Sequence, residues 1–168
     1  MNPLKGLIHR HGRLRLGLFS QHHVDQLELA LSSVQFLSKQ YPAIPEEEIR
    51  RVLGRYGLGG TSPLQPIGTL SGGQKTRTAF AALALSQPHV LILDEPTNHL
   101  DMDSIDALTS ALVEFKGGLL IVSHDQTFLD SICQEVWICN GGTLSKFEGS
   151  DTSTMGIVEQ YKKSLLES

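Results

Sequence analysis

Cysteine is scarce in this chain: Cys133 and Cys139 are the only two, they form no CxxC pair, and no secretory segment accompanies them. That excludes a disulfide framework and fits two buried thiols in a reducing compartment. No apolar run reaches the roughly 18 residues that a membrane-spanning helix needs. The expectation is a soluble, cytoplasmic protein. An excess of basic charge is missing too, since 14 Lys and Arg stand against 18 Asp and Glu for a formal net charge of −4. On net charge, this is not a basic nucleic-acid module. Acid is locally absent instead: before Asp25 there are Lys5, Arg10, Arg13 and Arg15 and no carboxylate. Such a stretch could face a polyanion or form a solvated ribbon. Low-complexity segments are absent as well, and 168 residues suit one domain with a real core.

What is present alternates between strand-like and helix-like patterns. Leu7, Leu14, Leu16, Leu18 and Phe19 recur among basic residues and glycines, which predicts one or two antiparallel strands ending at Phe19-Ser20-Gln21. From Gln26 to Tyr41 the pattern is helical, with Ser32 or Ser33 as N-cap. Glu46-Glu47-Glu48 open the next helix, acid in the first turn as the helix dipole prefers. Ile49, Val52, Leu53 and Tyr56 give it an apolar face, and Gly57 supplies a stop. Residues 57–69 read as a loop. Ser71 caps a helix that runs to Ser86, and a strand follows at 89–94. A helix is predicted over 104–115, a second apolar strand at Leu119 to Val122, and a short helix from Gln126 to Ile132. Asn140-Gly141-Gly142 predicts the turn of a hairpin, and Ile157 to Leu166 a last helix. Strand–helix–strand units with apolar strands mean a parallel sheet, so the fold class is α/β.

Chemistry concentrates on the stretch Leu91-Ile92-Leu93-Asp94-Glu95-Pro96-Thr97-Asn98-His99-Leu100-Asp101. Val90 to Leu93 have the length and composition of a buried parallel strand. The carboxyl end of such a strand is where open α/β sheets bind ligands. Asp94 and Glu95, adjacent on extended chain, would point in opposite directions, one toward a metal and the other toward a water. A solvated turn after an ordinary strand would carry the same letters. Three further sites tell against the turn. Leu70-Ser71-Gly72-Gly73-Gln74 puts bare glycines and a serine at a helix start, where free N–H groups and the dipole favour an anion. His124 ends the next strand, on the same edge as Asp94 and Glu95. Gln21 ends the strand before the helical segment.

In this order the motifs resemble the ATP-binding cassette ATPases. LSGGQ at 70–74 resembles the family signature, LILDEPTNHLD at 91–101 its Walker B and D-loop, and IVSHD at 121–125 its switch histidine. Phe19-Ser20-Gln21 looks like its Q-loop. Asn98-His99 resembles the ABC-F class of soluble, ribosome-acting ATPases more than transporters, which usually carry small residues there. Arg10 to Arg15, Gln21-His22-His23-Val24 and Leu53 to Gly57 look like the second cassette of eukaryotic ABC-F proteins of the general-control translation type.

The resemblance implies ATP and Mg²⁺ as ligands. Asp94 would hold the ion through water, Glu95 would deprotonate the attacking water, and His124 would contact the γ-phosphate. Gln21 would sense metal and water. Ser71, Gly72, Gly73 and Gln74 would bind the ATP of a second, head-to-tail cassette, and Asp101 would cross to it; a ribosome or translation factors would be further partners. The implied divisions are a strand region at 1–23, a helical subdomain at 24–86, a core at 87–148 and a tail helix at 149–168. No G-x-x-x-x-G-K-[ST] phosphate cradle occurs; Gly72-Gly73-Gln74-Lys75-Thr76 has Gln where the last glycine must stand. In the family that cradle lies upstream of the Q-loop strand. The expectation is therefore the later part of a cassette, with the adenine-stacking aromatic also outside it, and no competence alone. Two alternatives remain: a truncated, non-catalytic cassette acting as an interaction or regulatory protein, and the nucleotide-binding subunit of a transporter.

Overall fold

A computed structural model describes residues 5–20, 22–98, 100–149 and 155–166. Three parallel strands form the central sheet: β1 (Leu16–Phe19), β2 (Val90–Asp94) and β3 (Gly118–Val122), in that spatial order. Leu16 pairs with Val90 and Val90 with Gly118, so the strands start level. The expectation of antiparallel pairing near the start is corrected here. β1 lies parallel to β2, because the chain between them makes a long crossover and returns to the same end of the sheet. Residues 5–15 form no strand and are exposed except for half-buried Leu14.

That crossover holds α1 (His22–Asp25), α2 (Ser33–Gln40), α3 (Glu46–Arg55) and α4 (Gly72–Leu85), with two short 3-10 turns between α3 and α4. α2 begins at Ser33 with Ser32, one of the two expected N-caps, closing a capping box with Gln35; the residues from Gln26 to Leu31 lie outside it. α3 buries Ile49, Val52, Leu53 and Tyr56 as its periodicity predicts. The β2–β3 crossover is α5 (Met102–Val113), which starts two residues before the sequence expectation since Asp101 is its N-cap. α6 (Gln126–Ile132), the hairpin β4 (Trp137–Asn140) with β5 (Thr143–Lys146), and α7 (Ile157–Leu166) complete the order.

Crossovers between parallel strands are right-handed. Two successive crossovers that step the same way across a sheet therefore lay their helices on the same face. Phe19, Leu91 and Leu93 are buried on that face with Phe80 of α4 and with Leu108 and Leu112 of α5. Phe19 stacks on Phe80 at 3.8 Å between ring centres, and Phe80 on Tyr56 at 6.2 Å, which ties β1, α4 and α3 into one core. The opposite face is open. Leu16, Leu18, Leu120 and Val122 are 42%, 51%, 54% and 56% exposed there, beside half-buried Val90 and Ile92.

One buried polar contact joins the helices. The Ser33 hydroxyl lies 2.9 Å from Thr78 Oγ1, both side chains fully buried, and the Thr78 hydroxyl donates to the Gln74 carbonyl. Thr78 thus accepts from Ser33. Replacing Thr78 by Val should strand the Ser33 hydroxyl and cost about 1–3 kcal/mol. Pairing it with Ser33→Ala should recover most of that loss in a denaturant titration. A double variant as unstable as the sum of the singles would contradict the pairing.

Candidate functional site

The site begins where β2 ends. Asp94, last in the strand and exposed, pairs with Val122 of β3. Glu95 is next, with φ +46°, and its N–H donates to the Val122 carbonyl at 2.8 Å. The expected alternation of two carboxylates along extended chain is thereby corrected. Glu95 leaves the strand in the left-handed region, so the two residues are not consecutive positions of one extended strand. A residue other than glycine there costs about 1–2 kcal/mol. Buried Pro96 comes directly after, and Asn98 N–H closes a turn on the Glu95 carbonyl at 3.2 Å.

Beside Glu95 stands His124, past the end of β3. Its Nε2 is 3.3 Å from Glu95 Oε1, while its side chain is 97% exposed. Ser123 and Asp125 hold it there. Ser123 Oγ accepts from the Asp125 N–H at 3.1 Å and lies 3.4 Å from Thr97 Oγ1, so the two strand ends are tied across the gap. The Asp125 carboxylate caps α6 through Phe128 N–H at 3.0 Å. Asp94, Glu95 and His124 therefore share one edge of the sheet, as predicted, with Asp94 and the imidazole exposed and Glu95 half-buried.

A second group forms at the head of α4. Ser71 caps the helix through Gln74 N–H, and the Gln74 side chain accepts from the Ser71 N–H, a complete capping box. Gly72 is open to solvent and Gly73 is buried. A methyl group at Gly73 would sit 2.6 Å from Ser104 Oγ and 3.3 Å from Asp101 Oδ2, so glycine is what lets α4 approach the start of α5. Asp101 accepts from Ser104 N–H at 2.8 Å and from Arg77 at 3.3 Å. The structure thus collects Ser71, Gly72, Gly73, Gln74 and Asp101 into one group and Asp94, Glu95 and His124 into another. The turn from Glu95 to Asp101 connects the two. Gln21 and His99 lie outside the described residues.

Motif reading does not single out Arg77, Ser104, Thr97 or Ser123. Arg77 was findable, because it comes four residues after Gly73 and so shares its helix face. The pair Thr97 and Ser123 had no local signal, since it depends on which strands are neighbours.

A family profile described as ABC transporter matches residues 2–98. The chain is 53% identical over 150 residues to Protein GCN20 of Saccharomyces cerevisiae, covering 89% of this chain and 20% of that protein. It is 48% identical over 162 residues to human ATP-binding cassette sub-family F member 3, covering 96% and 23%. The chain thus spans about a fifth of the length of these curated relatives. Among solved structures, cbiO1 of Clostridium perfringens, part of the ABC transporter complex cbiONQ, superposes with TM-score 0.60 at 31% identity, over 73% of this chain and 52% of that one. A dimeric post-hydrolysis state of the ATP-binding cassette MJ0796, bound to ADP and Pi, shares the fold with TM-score 0.61 at 20% identity, over 82% and 65%.

Hydrogen bonds from Ser104, and then the charge and hydrogen bond of Arg77, hold the Asp101 carboxyl below its ordinary range. A carboxylate whose folded pKa is lowered stabilises above its unfolded pKa, and the effect is lost as pH falls through the folded one. Asp101→Ala should therefore melt below the wild type at neutral pH, with the two melting temperatures converging in acid. A gap independent of pH would show that the charge contributes nothing.

Proposed function

The chain belongs to the ATP-binding cassette family, alongside sub-family F relatives, and we propose that it supplies the Walker B, switch and signature parts of an ATP-hydrolysing cassette. The observation that carries this reading is the Glu95–His124 contact at 3.3 Å on the sheet edge where Asp94 also ends its strand. Acid and imidazole within reach of each other at strand ends suit a water-activating carboxylate next to a phosphate contact. In this reading Glu95 takes the proton of the attacking water and His124 donates to the γ-phosphate. Gln21 would complete the sensing of metal and water, by resemblance alone.

Among the described residues no cluster of three or more His, Cys, Asp or Glu side chains could hold a metal. So sparse a donor set suits Mg²⁺, which is commonly held by one or two carboxylates together with water and substrate phosphates. Asp94 is the carboxylate that fits, exposed at the strand end. The ion would offset charge on the phosphates when bound.

Ser71, Gly72, Gly73, Gln74 and Asp101 form their own group, which supports a role toward the nucleotide of a second cassette set head to tail. The open sheet face supports a place for the phosphate cradle. A strand added at the free edge of β3 and returning to β1 would cross the sheet against the direction of the other crossovers. Right-handedness would then lay its helix on the exposed face of Leu16, Leu18, Leu120 and Val122. The N-terminus of that helix would point at the strand ends beside His124, where a phosphate is best held. Among the described residues no helix is long and apolar enough to cross a membrane. With Asn98-His99, the sub-family F relatives support a translation-linked, cytoplasmic role on or near the ribosome over service to a transporter.

The lack of a GxxxxGK[ST] motif in these 168 residues favours a second reading for the isolated polypeptide, a non-catalytic cassette piece that lends its signature face to another cassette. Titration of the chain with a fluorescent ATP analogue and Mg²⁺ should give no saturable binding at micromolar concentration; micromolar affinity would overturn the divided site. In a polypeptide that joins this chain to a phosphate cradle, Glu95→Gln should slow turnover roughly 100-fold or more while nucleotide stays bound. Undiminished steady-state hydrolysis would remove Glu95 from the role of base.

A further inference from the structure

Besides the close approach at Gly73, a side chain that belongs to neither motif bridges α4 to the turn into α5. Arg77 is only 14% exposed, and each of its donor nitrogens reaches a different residue, two at the start of α5 and one past the end of α3. Nε donates to Ser104 Oγ at 2.9 Å, in the first turn of α5. Nη1 donates to the Gly57 carbonyl at 3.0 Å, just past the end of α3, and Nη2 to Asp101 Oδ1 at 3.3 Å. Because a guanidinium is planar and its donors are fixed to one another, the three acceptors are held in a fixed arrangement. Room for the group comes from glycine: a methyl at Gly57, where φ is +73°, would lie 2.9 Å from Arg77 Nη1. Gly73 does the same for Ser104, which completes a closed set of contacts from the glycine pair to Asp101 and back along α4 to Arg77.

We propose that Arg77 is a positioning residue that locks the signature loop at the head of α4 to the Asp101 turn, so that both respond to nucleotide as one body. This deepens the reading of Ser71 to Gln74 and Asp101 as facing a partner's nucleotide, and rests on it. The lock is built from contacts this chain makes with itself. If either segment were free to shift alone, a nucleotide bound at one would report nothing to the other. With the guanidinium in place, a displacement of the glycine pair displaces Asp101, the first residue past the turn that starts at Glu95. Lysine at position 77 keeps the charge but is a point donor, and it cannot span Ser104, Gly57 and Asp101 together.

Amide hydrogen exchange on the nucleotide-free 168-residue chain tests the lock without any ATP chemistry. Arg77→Ala should speed exchange of the bonded amides of Gln74 and Lys75 and of Ser104 and Ile105 together, by about tenfold or more, as expected for the loss of charge-assisted hydrogen bonds. The amides of Val52 and Leu53 in α3 should keep their protection. Arg77→Lys should match Arg77→Ala in both segments, and in each variant the Asp101 carboxyl, followed by NMR, should titrate closer to the ordinary aspartate range. The proposal is overturned if only one segment responds, if lysine restores both, or if Asp101 titrates unchanged. Coupled exchange in a chain whose joined cassette does not hydrolyse ATP would leave the lock standing and remove the nucleotide reading.

Discussion

The hydrogen bond from the Glu95 N–H to the Val122 carbonyl, 2.8 Å long, sets the geometry of the whole functional edge. It carries the β2–β3 ladder one residue beyond the strand and so fixes where the chain turns. Once the amide is pinned, the only free choice is the direction of the side chain, and the left-handed φ of +46° sends Glu95 toward His124. Three neighbouring residues offset the cost of that conformation. Pro96 is buried, Asn98 closes a turn on Glu95, and Thr97 lies against Ser123 on the neighbouring strand end. Strain held in place by its surroundings is a common mark of a functional position.

The same turn carries the chain from one cluster to the other. Six residues after Glu95, Asp101 stops the turn by capping α5, and its carboxylate also receives Arg77 from α4. A residue that caps a helix cannot swing without unsatisfying the first-turn amides. Helix capping thus holds the heads of both helices, Asp101 for α5 and Ser71 for α4. Behind them the Phe19–Phe80–Tyr56 stack supports α4 against the sheet, and the Ser33–Thr78 contact supports it against α2.

Which parts were legible in the sequence depends on how local their causes are. α3, α6 and α7 come close to their predicted bounds, since acid at the first turn, an N-cap and a 3.6-residue period all act within a few residues. α5 shows the limit: Asp101 reads as a motif carboxylate, and that reading hides its identity as an N-cap. Pairing direction was less legible still. Leu16 to Phe19 alternates apolar residues as an antiparallel strand does, and only its neighbour β2, some seventy residues later, makes it parallel. Among site residues, Asp94, Glu95 and His124 could be assigned to one edge because parallel strands end on the same side. The Glu95–His124 contact and the Arg77 fork could not, because both depend on side-chain direction across elements remote in sequence.

Among the described residues one face of the central sheet is left uncovered. Parallel sheets persist when both faces are covered, and here α4 and α5 cover one. Exposed Leu16, Leu18, Leu120 and Val122 form a contiguous apolar strip with Val90 and Ile92 between them. Burying such a strip is favourable at roughly 25 cal/mol per Å² of apolar surface, so a covering helix would be held largely by nonspecific burial. The candidate site residues take their backbone positions from other contacts. Glu95 is pinned by β3, His124 by the Ser123–Asp125 turn, and Asp101 by Ser104 and Arg77. Glu95, the backbone around His124, and Asp101 are thus arranged by contacts internal to this stretch of chain. In the proposed reading, an element laid across the open face would complete the site without having to build it.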